Sequence, residues 1–103
     1  MNLNIEMVKS KSGKECEISL IGRLDAQSAP EAEEFLLKQA QNFDSIFLNF
    51  SQLGYISSAG LRALKVLRIE MRRKGGTLTL KNVSTPVMEI FEMAGFAAFF
   101  NFA

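Results

Sequence analysis

The chain contains no histidine, and Cys16 is its single cysteine. The first absence removes the imidazole base of Ser-His-Asp and Cys-His mechanisms. It also leaves too few nitrogen and sulfur ligands for an ordinary zinc site. One thiol cannot close an internal disulfide. Long hydrophobic runs are missing too, since no stretch approaches the roughly 20 apolar residues of a membrane-spanning helix. Met1 to Val8 alternates polar and apolar residues, unlike the apolar core of a signal peptide. Neither sign of charge is in excess: 12 Lys and Arg against 11 Asp and Glu give +1, which draws the chain to neither nucleic acid nor a membrane. These absences predict a cytoplasmic protein without imidazole-based catalysis, an ordinary zinc site or an internal disulfide.

What is present is apolar. A hydrophobic share of 48% over 103 residues predicts one packed domain, residues 1–103, with a single layered core. Charge is unevenly placed within it. Glu31, Glu33 and Glu34 crowd the start of one predicted helix, whereas Arg62, Lys65, Arg68, Arg72, Arg73 and Lys74 load another.

Leu3, Ile5 and Met7 alternate with Asn4 and Glu6, and Cys16, Ile18 and Leu20 alternate with Glu17 and Ser19. This period of two predicts a hairpin around a polar turn from Lys9 to Lys14. After Gly22-Arg23-Leu24-Asp25, a capping box from Ser28 to Glu31 and Pro30 in the first turn predict a helix. Its buried stripe would be Ala32, Phe35, Leu36, Ala40 and Phe43. Ile46 to Phe50, an apolar run of strand length, predicts a central parallel strand covered on both faces. A second helix should run from Ser58 to about Lys74 and stop at Gly75-Gly76. Leu78 and Leu80 mark the next strand. Ser84-Thr85-Pro86 opens a third helix with Val87, Ile90, Phe91 and Ala94 inward and Gly95 as its stop, followed by an extended aromatic tail, Phe96 to Phe102. The order predicts an α/β fold with a mixed sheet of four to five strands.

Tyr55-Ile56-Ser57-Ser58-Ala59-Gly60-Leu61 is the most informative stretch, because it places two hydroxyls where a strand gives way to a basic helix. Ser58 is a candidate N-cap. Arg72, Arg73 and Lys74 suit the negative end of that helix, so the other end is positive and tolerates an anion on Ser58. A plain serine cap is the competing reading of the same pair. On a helical wheel Gly60, Ala63, Leu64, Leu67 and Met71 face inward. Leu61, Val66 and Ile69 then lie outward among Arg62, Lys65 and Arg68, as a docking surface or as scattered surface residues. Asp25 ends a strand just before a helix, where it either contacts a partner or stabilises the turn. Phe96, Phe99, Phe100 and Phe102 read as core and sheet edge.

Taken in order, Gly22-Arg23-Leu24-Asp25, Phe47-Leu48-Asn49-Phe50, Tyr55 through Leu61, Pro86 through Phe91 and Gly95-Phe96 resemble the STAS domain of the bacterial anti-sigma-factor antagonist type. The resemblance spans nearly the whole chain and implies a binding protein, not an enzyme, with no catalytic residues, metal or cofactor. It implies that the unmodified domain binds an anti-sigma factor that is also a serine/threonine kinase, freeing a sigma factor. Phosphorylation at Ser58 would end that binding, and a protein serine phosphatase would restore it. The implied partner surface is Asp25, Ser57, Ser58, Gly60, Leu61, Arg62 and Lys65. One departure concerns the acceptor itself: Ser57 stands where the family has aspartate, and Ala59 where it has a second serine. Ser57 cannot supply that negative charge and becomes the second candidate acceptor. A transporter-associated STAS subunit, docking on a nucleotide-hydrolysing partner without phosphorylation, is the alternative. Nucleic-acid binding and membrane insertion are not expected, and the chain should be a monomer or weak homodimer, part of its aromatic tail being exposed or covered by a second copy.

Overall fold

Strand β1 (Leu3–Lys9) pairs antiparallel with the long β2 (Glu15–Leu24), Leu3 lying opposite Gly22 and Lys9 opposite Cys16. The computed structural model describes residues 3–9 and 13–103. Ser10 to Ser12, the middle of the turn expected between Lys9 and Lys14, lie outside the described residues, as do Met1 and Asn2. From β2 the chain enters α1 (Ala29–Asn42), then β3 (Ser45–Asn49), β4 (Leu53–Ile56), α2 (Ser58–Arg73), β5 (Thr77–Lys81), α3 (Thr85–Met93) and the short β6 (Asn101–Phe102). The sheet has six strands in the order β1-β2-β3-β5-β6, with β4 paired to β2, and every pairing except β1–β2 is parallel.

β4 was not legible in the sequence, and it is the strand that places the site. β2 is long enough for two successive parallel partners: β3 alongside Glu15–Ser19, then β4 alongside Gly22–Leu24. The register shifts between Gly22 and Arg23. Gly22 has φ of 111° there, a conformation costly for any other residue, and its amide donates to the Gln52 carbonyl at 2.9 Å.

The core lies against one sheet face, where Cys16, Ile18, Ile46, Leu48, Leu78 and Leu80 meet Ala32, Leu36 and Ala40 of α1 and Ala63, Leu64, Leu67 and Met71 of α2. β3 is not covered on both faces as expected. Ile46 and Leu48 are buried, but Ser45, Phe47 and Asn49 are only half-buried. Phe47 disguises the alternation, its ring lying 5.9 Å from the Lys81 ammonium on the more open face. There Lys81 bonds Glu17 at 2.8 Å and Asn49 donates to the other oxygen at 3.1 Å. Lys81 first and Asn49 second hold the Glu17 carboxyl below its ordinary titration range.

The helix ends are built partly otherwise than the sequence suggests. Ser28 is already in helical conformation (φ −90°, ψ −19°) and gives α1 no side-chain cap, so there is no capping box from Ser28 to Glu31. The reciprocal pattern occurs one turn earlier. Asp25 Oδ1 accepts from the amides of Gln27 and Ser28 at 3.1 Å each, and Ser28 Oγ accepts from the Asp25 amide at 3.0 Å. α1 has no basic residue in its last turn. Lys74, which follows α2, supplies the missing cation by donating from Nζ to the carbonyls of Ala40 and, at 3.0 Å, Phe43. α3 starts as expected, with Ser84 Oγ accepting from the Val87 amide, although Ala94 is exposed rather than inward. The tail is extended only over Asn101–Phe102. Before that it turns, seating Phe100 edge-on against Phe91, 5.4 Å between centroids, to close the core beside Phe50.

Candidate functional site

β2 and β4 run parallel and finish together, Leu24 opposite Ile56, and the Ser57 amide donates to the Leu24 carbonyl at 2.9 Å. The loop at Asp25 and the start of α2 therefore emerge side by side from the carboxyl ends of parallel strands, where α/β folds place their contact loops. The same hydrogen bond decides the roles of the two serines. It holds Ser57 extended (φ −99°, ψ 175°), and helical conformation begins one residue later.

Ser57, not Ser58, is the N-cap. Its Oγ accepts from the Gly60 amide at 3.2 Å, and its carbonyl accepts the first helical bond, from Leu61, at 2.9 Å. Ser58 is the first residue of α2 and is exposed, and its hydroxyl has no hydrogen bond among the described residues. Gly60 is buried against the strand ends. A Cβ there would lie 2.8 Å from both the Leu24 carbonyl oxygen and Leu24 Cγ, so only glycine lets α2 begin so close to β2.

Leu61 is a further correction, because it is 4% exposed and belongs to the core. The covered arc of α2 is wider than the wheel implied, since Ala94 and Phe96 line the same hollow as Leu61. Ile69, 51% exposed, does face outward, and Val66 is half-buried. Arg68 is engaged with the tail, donating from Nε to the Phe99 carbonyl at 3.2 Å with its guanidinium 5.7 Å from that ring. Arg62 and Lys65 are exposed.

Asp25 is mostly covered. One carboxylate oxygen holds the turn and the other lies 3.7 Å from Arg23 Nε. Arg23 also stacks its guanidinium 4.2 Å over the Tyr55 ring, across the β2–β4 register. This Arg23–Tyr55–Asp25 group escaped the sequence reading because its one signal, the pairing of Arg23 with Tyr55, exists only once β4 is recognised.

Two depressions flank Ser58. One of 290 Å³ lies between α2 and the end of α3, lined by Ser58, Leu61, Arg62, Lys65, Ala94 and Phe96. The other, 620 Å³, lies between the first turns of α1 and α2, with Ala29, Pro30 and Ala59 among its apolar lining and Glu33, Glu34 and Arg62 as its charges. Among the described residues no group of three or more His, Cys, Asp or Glu side chains could hold a metal. Cys16 is buried, and burial pushes its thiol upward, away from the thiolate a nucleophile needs. No described helix is long and apolar enough to cross a membrane.

The STAS domain family model matches residues 4–103. The anti-sigma-B factor antagonist of Staphylococcus aureus is 30% identical over 96 residues, spanning 92% of this chain and 87% of that protein. Its namesake in Bacillus subtilis is 24% identical over 95 residues, 92% of this chain and 85% of that one. The solved structure of the anti-sigma factor antagonist SpoIIAA in its unphosphorylated form matches with a TM-score of 0.79 at 22% identity, over 98% of this chain and 87% of that one. The Bacillus SpoIIAA structure in the phosphorylated form matches with a TM-score of 0.73 at 21% identity, over 98% of this chain and 90% of that one. At these identities the structural matches speak to the fold.

Proposed function

The chain belongs to the STAS domain family, and on that premise we propose that it is an anti-sigma-factor antagonist switched by phosphorylation of Ser58. Unmodified, it binds an anti-sigma factor with serine kinase activity and so releases a sigma factor. Phosphorylated, it dissociates until a protein serine phosphatase removes the group. In this reading the protein is a cytoplasmic binding partner, not an enzyme, and it engages neither nucleic acid nor membrane.

The observation that carries the reading is the division of labour between the two serines. Ser57 is committed to the cap, whereas Ser58 presents a hydroxyl at the exposed start of α2. A phosphate on Ser57 would occupy the oxygen that caps the first turn, whereas one on Ser58 leaves that cap untouched. A phosphate adds roughly −1.5 to −2 charges near neutral pH, and enclosing them at a protein contact without matching cations is costly. The switch thus acts at the contact surface with the fold unchanged. The partner meets the Asp25 loop, Ser58, Arg62 and Lys65, while Ser57, Gly60 and Leu61 set the position of that surface from beneath.

The test is binding of Ser58→Ala and Ser58→Asp to an anti-sigma factor kinase of the same cell, with ATP and with ADP. The alanine variant is expected to bind with either nucleotide. The aspartate variant should bind at least tenfold more weakly while its circular dichroism stays native. Equal affinities overturn the reading, as does failure of cell extract with labelled ATP to mark the Ser58 peptide, the outcome a phosphorylation-independent transporter subunit would give.

A further inference from the structure

Ser58, Arg62 and Lys65 stand at positions i, i+4 and i+7 of one helix, and therefore on one face. Residues four apart lie about 5–6 Å from each other at Cβ. Helical side chains lean toward the amino terminus, which puts Ser58 on the side toward which the two long cationic chains extend. All three line the 290 Å³ hollow whose remaining walls, Leu61, Ala94 and Phe96, carry no charge. Lys65 is already turned toward the far wall, its ammonium 5.8 Å from the Phe96 ring. No nearby carboxylate forms an ion pair with either Arg62 or Lys65 among the described residues. Glu33 and Glu34 line the separate groove toward α1, which Arg62 also borders, and Asp25 is engaged with its own loop and Arg23.

Resting on Ser58 as the modified residue, we propose that its phosphoryl group is received within the same molecule by Arg62 and Lys65. Charge-assisted bonds to a dianion are stronger than those to neutral acceptors, and the guanidinium can offer two parallel donors. Modification then does more than add negative charge. It also withdraws the two cations that the unmodified surface presents to a partner, so one event takes the face from about +2 to nearly neutral. Arg62 would leave the α1 groove for the hollow, and Glu33 and Glu34 would lose the cation across from them.

The test installs phosphoserine at position 58 during synthesis, so that no kinase is needed. The second ionisation of the phosphate is then followed by phosphorus NMR in the full chain and in an Arg62→Gln/Lys65→Gln double variant. Both proteins share the helix end, so the comparison isolates the two side chains. The wild-type phosphate is expected to ionise about one pH unit lower than in the double variant. Its melting temperature should rise on phosphorylation by more than the variant's does. Identical titration curves in two folded proteins overturn the proposal. The outcome is separable from the functional reading: a shifted titration with no effect on partner release would sink that reading and leave this one standing, and the converse holds equally.

Discussion

Replacing Ser57 by alanine should destabilise the domain, and replacing Ser58 should not. Ser57→Ala deletes the acceptor of the Gly60 amide, a bond of 3.2 Å in a partly buried first turn. Loss of such a cap costs about 1 kcal/mol, within a range of roughly 0.5–2. In a domain of 103 residues, that lowers the melting temperature by about 4–8 °C. Ser58→Ala removes an exposed hydroxyl with no bond among the described residues and substitutes a better helix former. Its effect should stay within about 0.5 kcal/mol. Ser57→Asp provides a control, because aspartate caps as well as serine and its charge suits the helix amino end, so stability should equal or exceed that of wild type. Calorimetry and urea titration of the three variants at neutral pH measure all of this. If Ser58→Ala costs as much as Ser57→Ala, Ser58 shares the cap, its hydroxyl is not available, and the assignment of roles collapses.

Leu61→Ala should lose about 2–5 kcal/mol, as buried leucine truncations do, and a fully stable variant with weakened partner binding would instead return Leu61 to the surface. Gly60→Ala should also destabilise: overpacking against the Leu24 carbonyl costs about 1–3 kcal/mol, more than the roughly 1 kcal/mol that alanine gains in helix propensity, and a stability gain would show that the close approach is not rigid. Glu17 has its titration lowered by Lys81 and Asn49 in the folded state. Its stabilisation is therefore present above the unfolded glutamate range and lost as pH falls through the folded value. The stability difference between wild type and Glu17→Gln should accordingly shrink from about pH 7 to about pH 3, and a difference independent of pH would refute the Glu17–Lys81 contribution.

The hairpin, the three helices and the inward stripe of α2 were legible because each rests on local periodicity or a glycine stop. Gly75 ends α2 with φ of 81°, and the Gly76 amide returns to the Met71 carbonyl at 2.8 Å. What escaped depends on partners distant in sequence. Ser58 reads as a cap until β2 holds Ser57 extended through the Leu24 carbonyl. Ser28 reads as a cap until its hydroxyl turns back to the Asp25 amide and the Arg23 carbonyl. Leu61 reads as surface on a wheel of α2 alone, and its burial comes from packing in the core with residues distant in sequence. The structure thus moves the cap of α2 from Ser58 to Ser57, and Ser58 stays the proposed acceptor.

Lys74 joins the carboxyl-terminal ends of α1 and α2, which lie side by side and point the same way, at the pole of the domain opposite Ser58. That tie holds the two carboxyl ends together. Their first turns lie at the other end of the roughly 24 Å of α2, where Arg62, Glu33 and Glu34 border one groove and Gly60 packs against Leu24. The two poles of the helix pair are thus fastened by different means, a lysine bridge at one and a close backbone approach at the other, the latter beside the surface proposed to meet a partner.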